Sequence, residues 1–127
     1  MSLICVPPSL VPHVWKLYRI PVELALQRGN VGTAIEDVES WLFAGLAQLW
    51  IARVGVAVTQ LTGRGSDKLC TIVAFTGDFH RCVEHLASLE QFAEEEGCTK
   101  MVILGRKGWR RRLCDYREPY IVLEKEI

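Results

Sequence analysis

Between Leu69 and Leu104 two apolar runs flank one long periodic segment, and that arrangement leaves few topologies open. Leu69 to Phe75 is apolar at every position but Thr71, which predicts a strand covered on both faces of a sheet. From Phe79 to Glu96 the apolar residues are Phe79, Cys82, Val83, Leu86, Leu89, Phe92 and Ala93. They follow the i, i+3, i+4, i+7 template of an amphipathic helix, which Gly97 closes. Lys100 to Leu104 reads as a second buried strand. Strand, helix, strand within one sheet requires two parallel strands joined by a right-handed crossover. A chain of 127 residues, half of them apolar, has room for this unit and one surrounding core, so a single domain is expected.

The rest of the chain supplies shorter elements. Residues 3–6 predict a strand ended by Pro7 and Pro8, with Ser9 a candidate cap for a helix starting near Leu10. Leu10, Val11, Val14, Trp15, Leu17 and Tyr18 form its expected inner face. Pro21 removes a backbone donor there, predicting a kink or a split, with a second piece running to Arg28 and stopping at Gly29. Thr33 and Glu36 have the spacing of a capping box, predicting a helix from Ala34 to about Ala44 with Ile35, Val38 and Leu42 inward, Trp41 at the margin and Gly45 as its stop. Residues 48–53 and 56–61 read as strands joined by a tight turn at Val54-Gly55, and residues 63–67 as the next turn. A short helix around Trp109, within 105–113, and a last strand over 119–125 complete the prediction.

Fifteen basic residues balance fifteen acidic ones, which excludes a globally basic nucleic-acid binder and an acidic disordered tail. Five scattered cysteines without a C-x-x-C pair argue against a disulfide framework and a structural zinc site, and fit a reducing cytoplasm. The chain opens without a basic, apolar leader and contains no stretch long enough to span a membrane, so no membrane partner is expected.

Three places carry chemistry. At the start of the long helix, free amide donors and the positive dipole end converge, and His80 and Arg81 add positive charge, which suits an anion. The plain alternative is a solvated helix capped by Asp78. Arg106, Lys107, Arg110, Arg111, Arg112 and Arg117, against Asp115 alone, place a net +5 within twelve residues around Trp109. That segment suits contact with nucleic acid or with a protein, or is an exposed face balanced by the acidic long helix. His80-x-Cys82-x-x-His85 puts its cysteine on the apolar face and His80 on another side of the helix, so no metal is assigned. Cys70 and Cys82 read as core filling and not as nucleophiles.

The element order, together with the helix-Gly-strand of residues 89–104 and the Gly105-Arg-Lys-Gly-Trp109 that follows, resembles the GNAT N-acetyltransferase superfamily. In detail it looks like small acetyltransferase-like proteins, many of them encoded by phages or prophages. The resemblance spans the chain in layout and residues 89–117 in motif detail. It implies a three-layer α/β/α acyl-CoA N-acyltransferase fold with a mixed, mainly antiparallel sheet whose fourth and fifth strands are parallel and splay apart.

It further implies acetyl-CoA as the acetyl donor to an amine. The pantetheine arm would lie against Val73, Ala74 and Phe75. The pyrophosphate would lie over Gly77 and the amides of Phe79, His80, Arg81, Cys82 and Val83, with the Arg81 side chain upon it. Tyr116 would be the acid for the departing thiolate, with Tyr120 a weaker candidate. The acceptor would meet the two N-terminal helices and the hairpin. The sequence departs from the family where Arg/Gln-x-x-Gly-x-Gly/Ala is usual, since only Gly77 remains between Phe75 and Val83. A second reading follows from that departure: a catalytically inactive phage or prophage component, in the host cytoplasm or the virion, that binds protein or nucleic acid through Arg106–Arg117. Self-association is compatible with either.

Overall fold

The apolar runs and periodic segments form helices on both sides of one sheet. The computed structural model describes residues 3–29, 32–53, 55–76 and 79–103, together with Tyr116 and residues 125–126, with side chains from Glu84 onward in the long helix. Strand β1 (Ile4–Cys5) leads through a single 3-10 turn into helix α1 (Val11–Gly29) and helix α2 (Ile35–Phe43). Then come β2 (Ala47–Ala52), β3 (Gly55–Thr62), β4 (Leu69–Phe75), helix α3 (Phe79–Glu95) and β5 (Lys100–Ile103). The sheet order is β1-β2-β3-β4-β5, antiparallel at every junction except β4–β5, which is parallel. The expected short helix 105–113 and the expected last strand 119–125, save its end Lys125, lie outside the described residues.

Two buried clusters define the layers. Val11, Trp15, Val22 and Leu26 of α1 and Ile35, Val38 and Leu42 of α2 pack with Leu49, Val58 and Val73 on one face of the sheet. Leu86 and Leu89 of α3 pack with Trp50, Ala57, Ile72 and Phe75 on the other. The strand-helix-strand unit therefore forms as the periodicity requires, and β4 is covered on both sides.

Several local expectations are corrected. α1 is one continuous helix and is not split at Pro21. Pro21 lies on the exposed side, so its ring meets solvent while the Val11, Trp15, Val22, Leu26 face runs past it unbroken. Leu10 and Leu17, expected inward, are exposed. Ser9 sits inside the 3-10 turn Pro8–Leu10, which the Leu10 N–H closes on the Pro7 carbonyl at 2.9 Å, so it caps nothing.

The Thr33–Glu36 capping box does not form. The α2 cap is Ala34, with no side-chain hydrogen bond, which places Thr33 one residue too early to reach the helix donors. Glu36 and Glu39 face α1 instead. Glu39 accepts from the Trp15 indole at 2.7 Å and from Arg19 at 3.3 Å, and Glu36 lies 4.0 Å from Arg19. Gly45 does end α2 as expected: it adopts φ 76°, and the Leu46 amide bonds the Trp41 carbonyl. The three glutamates at the end of α3 oppose the helix dipole, and Lys68 answers them by donating to the Glu96 carbonyl at 2.6 Å.

Candidate functional site

The end of β4 differs from a regular strand. Val58 pairs with Ala74 but Thr59 pairs with Ile72, so Val73 is an extra residue, a β-bulge. Its consequence is visible in the packing. Ile72 faces α3, Val73 and Ala74 both face the α1/α2 cluster, and Phe75 returns to α3. Along the other edge of β4 the parallel pairing with β5 runs from Leu69↔Lys100 to Ile72↔Ile103. The bulge thus follows immediately on the last described β4–β5 pair, leaving Val73 outside the β3–β4 ladder while Ala74 and Phe75 resume pairing with Val58 and Ala57.

The bulge is held from the β3 side. The Thr76 amide donates to the Val56 carbonyl at 2.9 Å, and the Val56 amide donates to Thr76 Oγ1 at 3.0 Å. Gly55 lies so close to this clamp that a Cβ on it would stand 2.8 Å from the Thr76 carbonyl oxygen. This revises its expected role. The β2–β3 register pairs Ala52 with Gly55, so Gly55 is not part of the turn but opens β3, where only a residue without a side chain fits. Opposite the bulge, fully buried Thr59 accepts from the Trp50 indole at 2.9 Å and donates to Gln48 Oε1 at 2.8 Å. Neither the bulge nor this buried chain has a signal in hydropathy, because both depend on cross-strand register.

α3 begins at Phe79, four residues beyond Phe75, so the free donors of its first turn follow directly on the bulged strand. Helical backbone accounts for the expected positions Phe79, His80, Arg81, Cys82 and Val83, whose side chains lie outside the described set, as do Gly77, Asp78 and Tyr120. The basic segment from Arg106 through Lys107, Arg110, Arg111 and Arg112 to Arg117 also lies outside it.

Tyr116 is described, and its hydroxyl donates to Glu90 Oε2 at 2.7 Å while its ring packs at the margin of the α3 cluster. Glu90 stands eleven residues into α3, about 16 Å along the axis from the helix start. To protonate a group beside Val73–Phe75, the Tyr116 hydroxyl would have to leave Glu90.

His85 is buried on α3, and among the described residues no group of three histidine, cysteine or acidic side chains is placed to hold a metal ion. Cys5, Cys70 and Cys98 are free thiols. Burial, and then the neighbouring Cys98, push Cys70 from its ordinary 9.0 up to about 12, so at neutral pH it is a protonated core residue and no nucleophile. Because the folded value lies above the unfolded one, the contribution of Cys70 to stability is complete below pH 9.0 and is lost as pH rises toward about 12. Urea unfolding at successive alkaline pH values should show wild type losing up to about 1.4 kcal/mol per pH unit more than Cys70→Ala. Parallel curves for the two proteins would refute this.

This arrangement is the fold of the GNAT acetyltransferases, and solved structures of that class match the chain almost end to end. An acetyltransferase from Clostridium acetobutylicum, described as predicted and holding acetyl-CoA, superposes with a TM-score of 0.64 at 12% identity over 97% of this chain and 95% of its own. The aminoglycoside N-acetyltransferase AAC(6')-Iy in complex with CoA gives 0.64 at 13% identity, covering 98% of this chain and 93% of its own. A ribosomal-protein-alanine N-acetyltransferase from Brucella melitensis gives 0.63 at 11% identity, with both chains covered completely. No family model matches the sequence, and no curated protein matches it. The likeness is one of fold, and the phage or prophage origin finds no support in these neighbours. Among the described residues no helix is long and apolar enough to cross a membrane.

Proposed function

We propose that the chain is an acetyltransferase that passes the acetyl group of acetyl-CoA to an amine. The observation that carries this reading is the β-bulge at Val73, lying between the last described β4–β5 pair and the first turn of α3. Backbone groups of Val73–Phe75 on the β5 side of β4, beyond the last described pair with β5, receive the pantetheine amides, and the helix donors from Phe79 to Val83, with Arg81, neutralise the pyrophosphate. Two of the structural neighbours hold acetyl-CoA or CoA, which supports the choice of donor.

Catalysis is then mainly positioning. The amine attacks the thioester carbonyl and a backbone amide at the bulge steadies the developing oxyanion. The C–S bond breaks as the leaving thiolate takes a proton, which Tyr116 supplies once released from Glu90, and the amine nitrogen gives its proton to water. A catalytically silent binding protein is the competing reading. It is favoured by the single glycine between Phe75 and Val83, and its contact surface would be Arg106–Arg117.

Thermal unfolding with millimolar acetyl-CoA or CoA separates the two. Ligand at 100 times its dissociation constant adds about 2.7 kcal/mol, a rise of several degrees in Tm, which Arg81→Ala should abolish. No rise with either ligand in a folded protein would overturn coenzyme A binding. A rise without acetyl transfer to any of a panel of amines and N-terminal peptides would leave a coenzyme-A-binding protein that is not an enzyme.

A further inference from the structure

α1 has a second apolar stripe, on the side away from the sheet. Leu17 and Leu24, with Leu10 in the 3-10 turn that leads into the helix, recur at intervals of seven, with Ile20 three residues after Leu17, and all four are exposed, Leu17 at 66% and Ile20 at 65%. Numbered as a heptad, the leucines fall at a and Ile20 at the central d. The buried face of the helix, Val11, Trp15, Val22 and Leu26, is already occupied by the sheet and α2, so this seam is additional to what the fold uses.

Charge on one flank of the seam identifies its occupant. The g positions are Lys16 and Glu23, and neither has an ion pair or hydrogen bond among the described residues. In an antiparallel pair of identical helices g faces g of the partner, and a faces d. Centring the pair between Leu17 and Ile20 stacks each Leu17 on the opposite Ile20 and sets each Lys16 against the opposite Glu23. A parallel pair would leave Lys16 opposite Pro21. We propose that a second copy of this chain docks here, through an isologous antiparallel contact between the two α1 helices.

The seam is short. α1 spans about 28 Å, and His13 and Gln27 fill the outer d positions, so fewer than the roughly three to four apolar heptads of a self-sufficient coiled coil are present. A reversible dimer in the micromolar range is expected, placing the exposed faces of both α1 helices at the centre of the assembly.

Sedimentation velocity of the full chain from about 5 to about 500 µM tests this. Wild type should shift from monomer to dimer, and Leu17→Glu should remain monomeric with an unchanged melting curve. Lys16→Glu and Glu23→Lys should each weaken association about tenfold or more by setting like charges face to face, and the double variant should restore it. Wild type that stays monomeric throughout would overturn self-association and leave the seam to a different partner. A dimer indifferent to Leu17→Glu would place the contact elsewhere. Failure of the double variant to recover would overturn the antiparallel pairing.

Discussion

Trp50→Ala is expected to lower the unfolding free energy by about 3–5 kcal/mol, the cost of emptying a large buried aromatic site. Trp50 meets Phe92 of α3 edge to face, with ring centroids 4.9 Å apart, and its indole donates to Thr59. One side chain thus joins the sheet to the long helix and anchors the strand opposite the bulge. Two milder variants separate packing from hydrogen bonding. Thr59→Val keeps the ring but leaves a buried indole N–H unpaired, at about 1–3 kcal/mol. Trp50→Phe removes the donor and part of the ring, and should fall between Thr59→Val and Trp50→Ala. Urea denaturation followed by circular dichroism measures all three, and a loss below about 1 kcal/mol for Trp50→Ala would contradict the packing described here.

Gly63→Ala should destabilise by about 2–5 kcal/mol, and Gly65→Ala, two residues along the same turn, by only about 1–2. Both glycines have positive φ, 83° and 56°, so an L side chain is strained at either. The difference is space. A Cβ at Gly63 would stand within van der Waals overlap of the Asp67 carbonyl, whose oxygen lies 2.3 Å from the added atom, whereas nothing lies within 4 Å at Gly65. Backbone cannot swing aside as a long side chain does, so the β3–β4 connection must move. That connection also carries Lys68, which caps α3, and Ser66, whose carbonyl accepts from Thr99 at 2.8 Å, so the strain reaches the entry to β5. Thermal melts of the two variants side by side should differ by several degrees, and equal melts would refute the steric argument.

The order of the described strands and helices up to β5, the covered β4 and the amphipathic α3 were all legible in the chain, because side-chain periodicity reports directly which face meets the core. Leu69–Phe75 has the bounds that hydropathy predicts, and Gly45 and Gly97 end their helices as their chemistry demands. The errors share a cause. Leu10 and Leu17 are as apolar as Val11 and Trp15, so composition could not tell which stripe of α1 the sheet would take; packing against α2 and the sheet chose, and left the other exposed. Thr33 has the residue type and spacing of a cap, yet the helix start is set one residue later, while the Glu36 and Glu39 side chains turn to Arg19 and Trp15.

The candidate site divides along the same line. The expectation of an anion site at the start of α3 comes from local chemistry alone, since the free donors of a first helical turn and the nearby Arg81 are properties of a short segment. The bulge at Val73, the Thr76 clamp on β3 and the glycine that makes room for it belong to no segment. They arise only when β3 and β4, two consecutive strands, come into register, and a one-residue offset between them is an outcome of pairing energies summed over the whole sheet.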